Sequence, residues 1–362
     1  MAVIGTEKSE RTGVGASAWE RAVRLWLLGV ALLVLAMITV GGATRLTDSG
    51  LSITEWQPLL GAIPPLTDAH WHEAFEKYRQ IPQYHLVNKG MSLEEFQFIY
   101  WWEWGHRFLG RIIGLAFALP FAAFWALGAL RPGEPLKMAG VLALGGLQGV
   151  IGWYMVKSGL VDRVDVSQYR LALHLTVAFV ILALLIWLAL GIGRAETRGP
   201  ARPRIARLPA VIIGLIFLQV IVGAFVASLQ GGLVYNTWPT MNGAFVPDDL
   251  LALEPWYHNP FENPVTAQFI HRLIAYAIVA AVAVEAWRVY DSPEKLDLRG
   301  SAALLLAAVI GQAALGIWTL LHAVPIGLGI AHQACAAILL VIAVRHLHLA
   351  TYGPRGASLR AA

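Results

Sequence analysis

With 362 residues, 57% of them hydrophobic and 14% charged, and a mean hydropathy of +0.60, the chain carries too little charge for a soluble protein of its size and reads as a polytopic membrane protein. Its net charge of +4 comes from arginines scattered through loops rather than from a basic run with interleaved aromatics, which argues against a nucleic-acid partner. A single cysteine, Cys335, lies inside an apolar segment and excludes an internal disulfide or a thiolate metal site.

Residues 1–20 are polar and lead straight into a full-length apolar stretch, so no cleaved signal peptide is expected. Segments of about twenty apolar residues can cross a bilayer. Eight qualify, at approximately 22–43, 102–130, 137–156, 171–192, 209–229, 267–290, 301–321 and 327–348. Pro120 is a candidate kink in the second span because it removes a backbone donor. The expected fold is all-α, with eight transmembrane helices.

Lys and Arg in the loops set the orientation. One side carries Lys8, Arg11, Arg21, Arg24, Arg131, Lys137, Arg194, Arg198, Arg202, Arg204, Arg207, Arg288, Lys295, Arg299, Arg345, Arg355 and Arg360. The other carries Arg45, Lys77, Arg79, Lys89, Lys157, Arg163 and Arg170. Both termini are therefore expected in the cytoplasm, with the long loops 44–101 and 230–266 facing outward.

The two halves match. Gly50-Leu51 precedes Trp56 by the spacing at which Gly232-Leu233 precedes Trp238, and Pro58 and Pro239 follow close behind. His106-Arg107 heads the second span as His271-Arg272 heads the sixth. Gln148 and Gly152 in the third span correspond to Gln312 and Gly316 in the seventh, and His174 opens the fourth span as His332 opens the eighth. This predicts a parallel duplication of a four-helix unit about an axis near the membrane normal. The expected divisions are a cytoplasmic segment 1–21, an N-terminal half 22–192, a cytoplasmic linker 193–208, a C-terminal half 209–348 and a cytoplasmic tail 349–362.

His106, His174, His271 and His332 stand near the outer ends of even-numbered spans, two in each half. A lone intramembrane histidine is usually an interhelical hydrogen bond. Four at matching positions, each with a small residue four places on (Gly110, Ala178, Ala275, Ala336), point instead to paired axial ligands of haem iron. Zinc is the weaker alternative, since no cysteine or carboxylate cluster completes a tetrahedral set.

The stretch Phe96–Arg111 concentrates unusual chemistry, reading as an aromatic loop running into the second span. Glu103, His106, Arg107 and Arg111 at the mouth of an apolar segment are expensive and read as functional. Glu103 and His106, three apart, share a helix face. Gly110 and Gly114 continue it as a strip without side-chain bulk where a flat ligand could lie, although the same spacing also fits close helix packing.

On these residues the chain resembles the haem A synthase family. The resemblance rests on Glu103-x-x-His106-Arg107 with Gly110-Arg111, on Asn236-Thr237-Trp238-Pro239, on His271-Arg272 and on the eight spans with four histidines. Some members carry a cysteine pair in the first outer loop; this chain does not, like the proteobacterial and mitochondrial subgroup.

The resemblance implies an oxidoreductase acting on a methyl group. It would oxidise the C8 methyl of haem O to a formyl group, by two hydroxylations and loss of water, giving haem A for terminal oxidases. The N-terminal half would hold the substrate haem at His106 and His174, and the C-terminal half a resident haem b between His271 and His332. Glu103 matches the family's acidic residue, placed for proton transfer or for stabilising positive charge; an ion pair with Arg107 or Arg45 is the plainer reading. Arg107, Arg111, Arg170 and Arg272 are candidate haem-propionate contacts, or cations snorkelling to the interface. The implied setting is the bacterial inner membrane, with haem sites towards the periplasm. Implied partners are an unidentified electron donor, haem O synthase, oxidase assembly factors, membrane lipid and a second copy of the chain.

Two other classes fit part of the pattern, a di-haem b-type electron-transfer cytochrome and a transporter. The first does not require Glu103 in one half and the uncharged Gln268 in the other. The presence of Gln268 also suggests that the fold tolerates an amide at position 103.

Overall fold

The computed structural model describes residues 6–57, 60–162, 166–193 and 202–353. Pro58, Arg163, Arg194, Arg198, Arg355 and Arg360, used above for the repeat and the orientation, lie outside the described residues, as do the side chains of Lys8 and Arg11. The α-helices are α1 (Thr6–Leu46), α2 (Asp68–Tyr78), α3 (Pro82–Leu86), α4 (Leu93–Ala126), α5 (Glu134–Asp162), α6 (Gln168–Gly191), α7 (Pro203–Ser228), α8 (Asn259–Glu262), α9 (Pro264–Asp291), α10 (Arg299–Leu321) and α11 (Ile326–Tyr352). Among the described residues eight helices are long and apolar enough to cross a membrane: α1, α4, α5, α6, α7, α9, α10 and α11.

The spans are where hydropathy places them, but several helices run on beyond the apolar core. Backbone hydrogen bonding does not stop at the membrane edge, so α1 starts inside the expected N-terminal segment, α7 inside the expected linker and α11 ends inside the expected tail. The largest difference is at α4. It begins at Leu93, so the aromatic run from Phe96 is helix rather than loop. A capping box fixes that start: the Ser92 hydroxyl accepts from the Glu95 amide (3.2 Å) and the Glu95 carboxylate accepts from the Ser92 amide (2.8 Å). Further along, α4 continues through Pro120. Proline removes the donor that the Ala116 carbonyl would otherwise receive, and the Trp26 indole N–H takes its place at 2.8 Å.

Helices α1, α6, α7 and α11 form the inner layer and share the largest buried cluster, with Leu27, Phe179, Leu182, Leu185, Ile212 and Leu340 at its centre. Helices α4, α5, α9 and α10 flank them. Neighbour relations are alike in the two halves: α1 packs on α4 and α6 as α7 packs on α9 and α11. One relation differs. Helices α9 and α10 run against each other, whereas α4 and α5 meet over a much shorter stretch.

The long loops lie at one end of the bundle, the loop end. In the first, α2 and α3 fold onto the start of α4 around Trp71, Phe75, Tyr78, Tyr84, Phe96 and Tyr100. Tyr100 is thus part of a buried aromatic lobe, while its neighbour Trp101 is exposed.

Candidate functional site

Each of the four intramembrane histidines is fitted against a glycine of the crossing helix that precedes its own in the chain. A Cβ on Gly41 of α1 would stand 3.1 Å from His106 Nε2, and one on Gly152 of α5 would stand 3.0 Å from His174 Cε1. In the second half, Gly223 of α7 would meet His271 Cε1 at 3.1 Å and Gly316 of α10 would meet His332 Cε1 at 2.7 Å. Glycine lets each neighbouring helix come this close to an imidazole: a Cβ at Gly316 would force a shift, and at the other three it would be a tight contact. All four rings are half-buried. His106 lies within electrostatic range of His174, and His271 of His332, so the structure brings the histidines together by half.

Glutamines hold three of these helix positions. Gln148 Nε2 donates to the His174 carbonyl (2.9 Å), Gln312 Nε2 to that of His332 (3.0 Å) and Gln219 Nε2 to that of His271 (3.1 Å). The amides of Gln219 and Gln312 also stand 3.1 and 3.2 Å from a ring nitrogen of His271 and His332. His106 differs. Met37 sits four residues before Gly41, as Gln219 sits four before Gly223, and its Cε lies 3.3 Å from where a Gly110 Cβ would be. The strip below His106 is therefore partly roofed by a thioether at Gly110 and open at Gly114.

Glu103 is buried and turned towards the loop end. Its carboxylate accepts from the Ile53 amide (2.7 Å), the Ser52 hydroxyl (2.8 Å) and Arg107 Nη2 (2.6 Å). Arg107 also donates to the Ile53 carbonyl (2.9 Å) and the Glu55 carbonyl (3.2 Å). Arg272 grips its own loop in the same register, donating to the carbonyls of Tyr235 (3.2 Å) and Thr237 (3.0 Å) and to Gln268 Oε1 (3.1 Å). Gln268 Nε2 then donates to the carbonyls of Gly231 (2.8 Å) and Tyr235 (3.0 Å). The two sites thus share a frame, each with an arginine donating to the side-chain oxygen, but differ in the loop groups they meet: position 103 faces loop donors and position 268 faces loop acceptors.

The remaining candidate arginines also touch protein. Arg111 Nη2 donates to the Gln57 carbonyl at 3.1 Å. Arg170 donates to the Ser158 hydroxyl and lies over the Tyr154 ring at 4.7 Å. Beside Arg107 the loop carboxylate Glu55 pairs with Lys77 at 2.8 Å. Hydrogen bonds from Lys77 to Glu55 and Glu73 hold the ammonium above the usual lysine range.

The donor set suits a haem. No group of three or more His, Cys, Asp or Glu side chains converges among the described residues, so an ion that takes three or four ligands from protein finds none here. A porphyrin supplies the in-plane nitrogens and would need two further ligands, which the two imidazoles of one half could provide. His174 Nδ1 and His271 Nδ1 are buried without a protein partner, as are the side-chain oxygens of Gln148, Gln219 and Gln312.

Sequence reasoning found the histidines and two of the glutamines but missed Gly41, Gly223, Gln219 and Met37. Gly41 and Gly223 occupy matching places, nine residues before Gly50 and Gly232, so repeat alignment would have found them. Gln219 has no polar counterpart and leaves no such trace.

A family model described as cytochrome oxidase assembly protein, COX15-CtaA, matches residues 24–344. The haem A synthase of Parvibaculum lavamentivorans is 52% identical over 327 residues, covering 90% of this chain and 94% of that protein. The haem A synthase of Brucella anthropi is 49% identical over 326 residues, covering 90% and 91%. That of Brucella ovis is 47% identical over 342 residues, covering 94% and 93%.

Proposed function

This chain belongs to the COX15-CtaA family, and from that membership we propose a division of labour between its two histidine pairs. Its function is that of a haem A synthase: it is a multi-pass membrane enzyme for which haem O is the substrate and haem A the product. The finer reading is that the N-terminal half takes haem O at His106 and His174, while His271 and His332 hold a resident haem b. The oxidised position is the C8 methyl. The loop end faces the periplasm and both termini the cytoplasm, as the Lys and Arg bias requires.

The observation that carries this assignment is the difference between two otherwise matching frames. The first half has the looser α4–α5 seam, the carboxylate Glu103 and the thioether Met37. The second has a closed α9–α10 seam, Gln268, and glutamines on both histidine carbonyls. A half that exchanges its ligand each turnover needs a way in; a half that keeps its ligand needs its ligating helices pinned.

A resident haem b would supply a one-electron carrier beside the substrate. The chain's own groups do the rest. Gly41 and Gly152 let α1 and α5 back the imidazoles of the substrate half. The carboxylate of Glu103, held by three donors one turn from His106, contributes a fixed negative charge that stabilises positive charge developing on the porphyrin edge. Arg107, Arg111, Arg170 and Arg272 are retained as propionate contacts made in addition to their present bonds. An external electron donor, haem O synthase as supplier and oxidase assembly factors as recipients are the partnerships this activity calls for.

The test is chromatography of haems extracted from the purified chain, expressed with a source of haem O. Haem b together with haem O or haem A is expected. Haem b alone, with no haem A formed, would return the chain to the di-haem electron-transfer class.

A further inference from the structure

An open pocket with about 220 Å³ of water-accessible space lies at the loop end of the first half, between the first outer loop, α4 and α5. Sites that enclose a whole drug-sized ligand run to about 300–1,000 Å³, so this one suits the edge of a larger molecule. Its walls are two indoles, Trp56 and Trp153, with centroids 6.4 Å apart, each with a cation over its face. Arg107 Cζ stands 5.9 Å from the Trp56 centroid and Lys157 Nζ stands 5.1 Å from that of Trp153.

The charges do not balance. Glu55 is the carboxylate on the wall, and Lys77 already pairs with it at 2.8 Å. Arg107 is bound to Glu103 and to two loop carbonyls. Lys157 makes no ion pair among the described residues, and its cation–π contact leaves the ammonium hydrogens available. The pocket therefore attracts an anionic group to Lys157.

Position and asymmetry identify that group. Lys157 lies five residues beyond Gly152, the glycine against the His174 ring: a rise of about 7.5 Å towards the loop end and a turn of about 140° around α5, onto the face that Trp153 shares. A macrocycle ligated at His174 and turned with its acidic edge outward would bring that edge into the pocket. Five residues beyond Gly316, the counterpart is Leu321. The second loop also uses its tryptophan differently, the Trp238 indole donating to the Tyr276 hydroxyl at 3.0 Å. Four residues beyond Trp318 stands His322, edge-on to that indole, where Lys157 stands four beyond Trp153, so the permanent ammonium belongs to the first half.

We propose that Lys157 recognises a propionate carboxylate of haem O, in a vestibule of the first half walled by Trp56 and Trp153. This rests on the reading that the first half takes haem O. Lys157 is a substrate-positioning residue, and Lys157→Leu installs the second half's residue at a surface site.

The experiment is an optical titration of the full-length purified chain, prepared without haem O, with haem O and with its dimethyl ester, in detergent with and without phosphatidylglycerol. Loss of a charge-assisted hydrogen bond predicts that Lys157→Leu weakens haem O binding about tenfold or more. Lys157→Arg should restore most of it. The ester should bind wild type and Lys157→Leu alike, resident haem content should not change, and turnover should show a raised KM at unaltered kcat. Equal haem O affinity in wild type and Lys157→Leu, or an equal loss for acid and ester, would overturn the proposal. An effect seen only with phosphatidylglycerol would overturn it in favour of a lipid headgroup. If the haem O signal of wild type survives His106→Ala and His174→Ala, the site assignment itself fails, whatever Lys157 does.

Discussion

Gly316 stands so close to His332 that a Cβ on the glycine would lie 2.7 Å from the ring's Cε1, inside any real contact distance. Either the ring or helix α10 must shift when a methyl is added. Overpacking of this kind costs about 1–3 kcal/mol. With haem b at His271 and His332, as proposed, Gly316→Ala should therefore lower bound haem b per protein, with Gly223→Ala, at 3.1 Å, milder. Gly311→Ala on the same helix is the control, since nothing lies within 4 Å of its Cβ position. The haem-to-protein ratio after purification reads all three. Equal ratios would mean that the imidazoles are not held by these contacts.

Glu103 and Gln268 occupy the same frame with opposite hydrogen-bonding needs. The carboxylate of Glu103 receives the Ile53 amide and the Ser52 hydroxyl, whereas the amide of Gln268 gives to two carbonyls. The expectation that an amide at 103 would be tolerated therefore conflicts with the surroundings, because Glu103→Gln loses the Arg107 charge pair in either orientation and points its N–H₂ group either at the fixed Ile53 N–H or at the Arg107 guanidinium. A buried donor left unpaired costs about 1–3 kcal/mol. Glu103→Gln should lower the melting temperature in detergent as well as haem A yield, and Gln268→Glu should be destabilising too. Unchanged melting with sharply lower haem A would assign Glu103 to the chemistry alone.

What was legible follows from how local each signal is. Eight spans and four histidines are local features, readable from apolar length and from residue type. The Glu103–Arg107 contact was readable as well, at helical spacing. The other two partners of Glu103, Ser52 and Ile53, lie some fifty residues earlier, and no periodicity links them. The start of α4 was misplaced because aromatic residues at an interface look alike in loop and helix; the deciding feature was Ser92 with Glu95. The Trp26–Ala116 bond answers a vacancy created by Pro120, and only the three-dimensional arrangement shows which side chain fills it.

Tyr78 ties the aromatic lobe of the first loop together. Its hydroxyl donates to Gln83 Oε1 at 3.1 Å and accepts from Asn88 Nδ2 at 2.7 Å, and burial raises the phenol above the usual tyrosine range. In the unfolded loop it ionises near its ordinary value of about 10. Above that pH the unfolded form has lost a proton that the folded form keeps, so stability falls as pH rises; below it the contribution is complete. The loop should become protease-sensitive on going from neutral pH to about pH 11. Tyr78→Phe should flatten that limb while costing about 1 kcal/mol at neutral pH. An identical alkaline profile in the variant would place the effect elsewhere.

The proposed pairing of histidine ligands by half makes the sharpest prediction. His271→Ala or His332→Ala should remove resident haem b, while His106→Ala or His174→Ala should stop haem A formation and leave haem b bound. The reason is geometric: each ring is backed by a glycine of its own half, and three of the four carry a glutamine from that half on their carbonyl. The two halves are not insulated everywhere. Gln333, next to His332, donates to the Ile38 carbonyl of α1 at 2.6 Å, and its amide lies 2.9 Å from where a Gly42 Cβ would be. A change at His332 can therefore reach α1, and through Gly41 the back of His106. His271, whose contacts stay within its half, is the cleaner probe of the resident site. The measurement is the reduced-minus-oxidised spectrum together with extracted haems, at matched levels of folded protein. Loss of all haem b in His174→Ala, with melting unchanged, would show that the ligands pair across the halves instead.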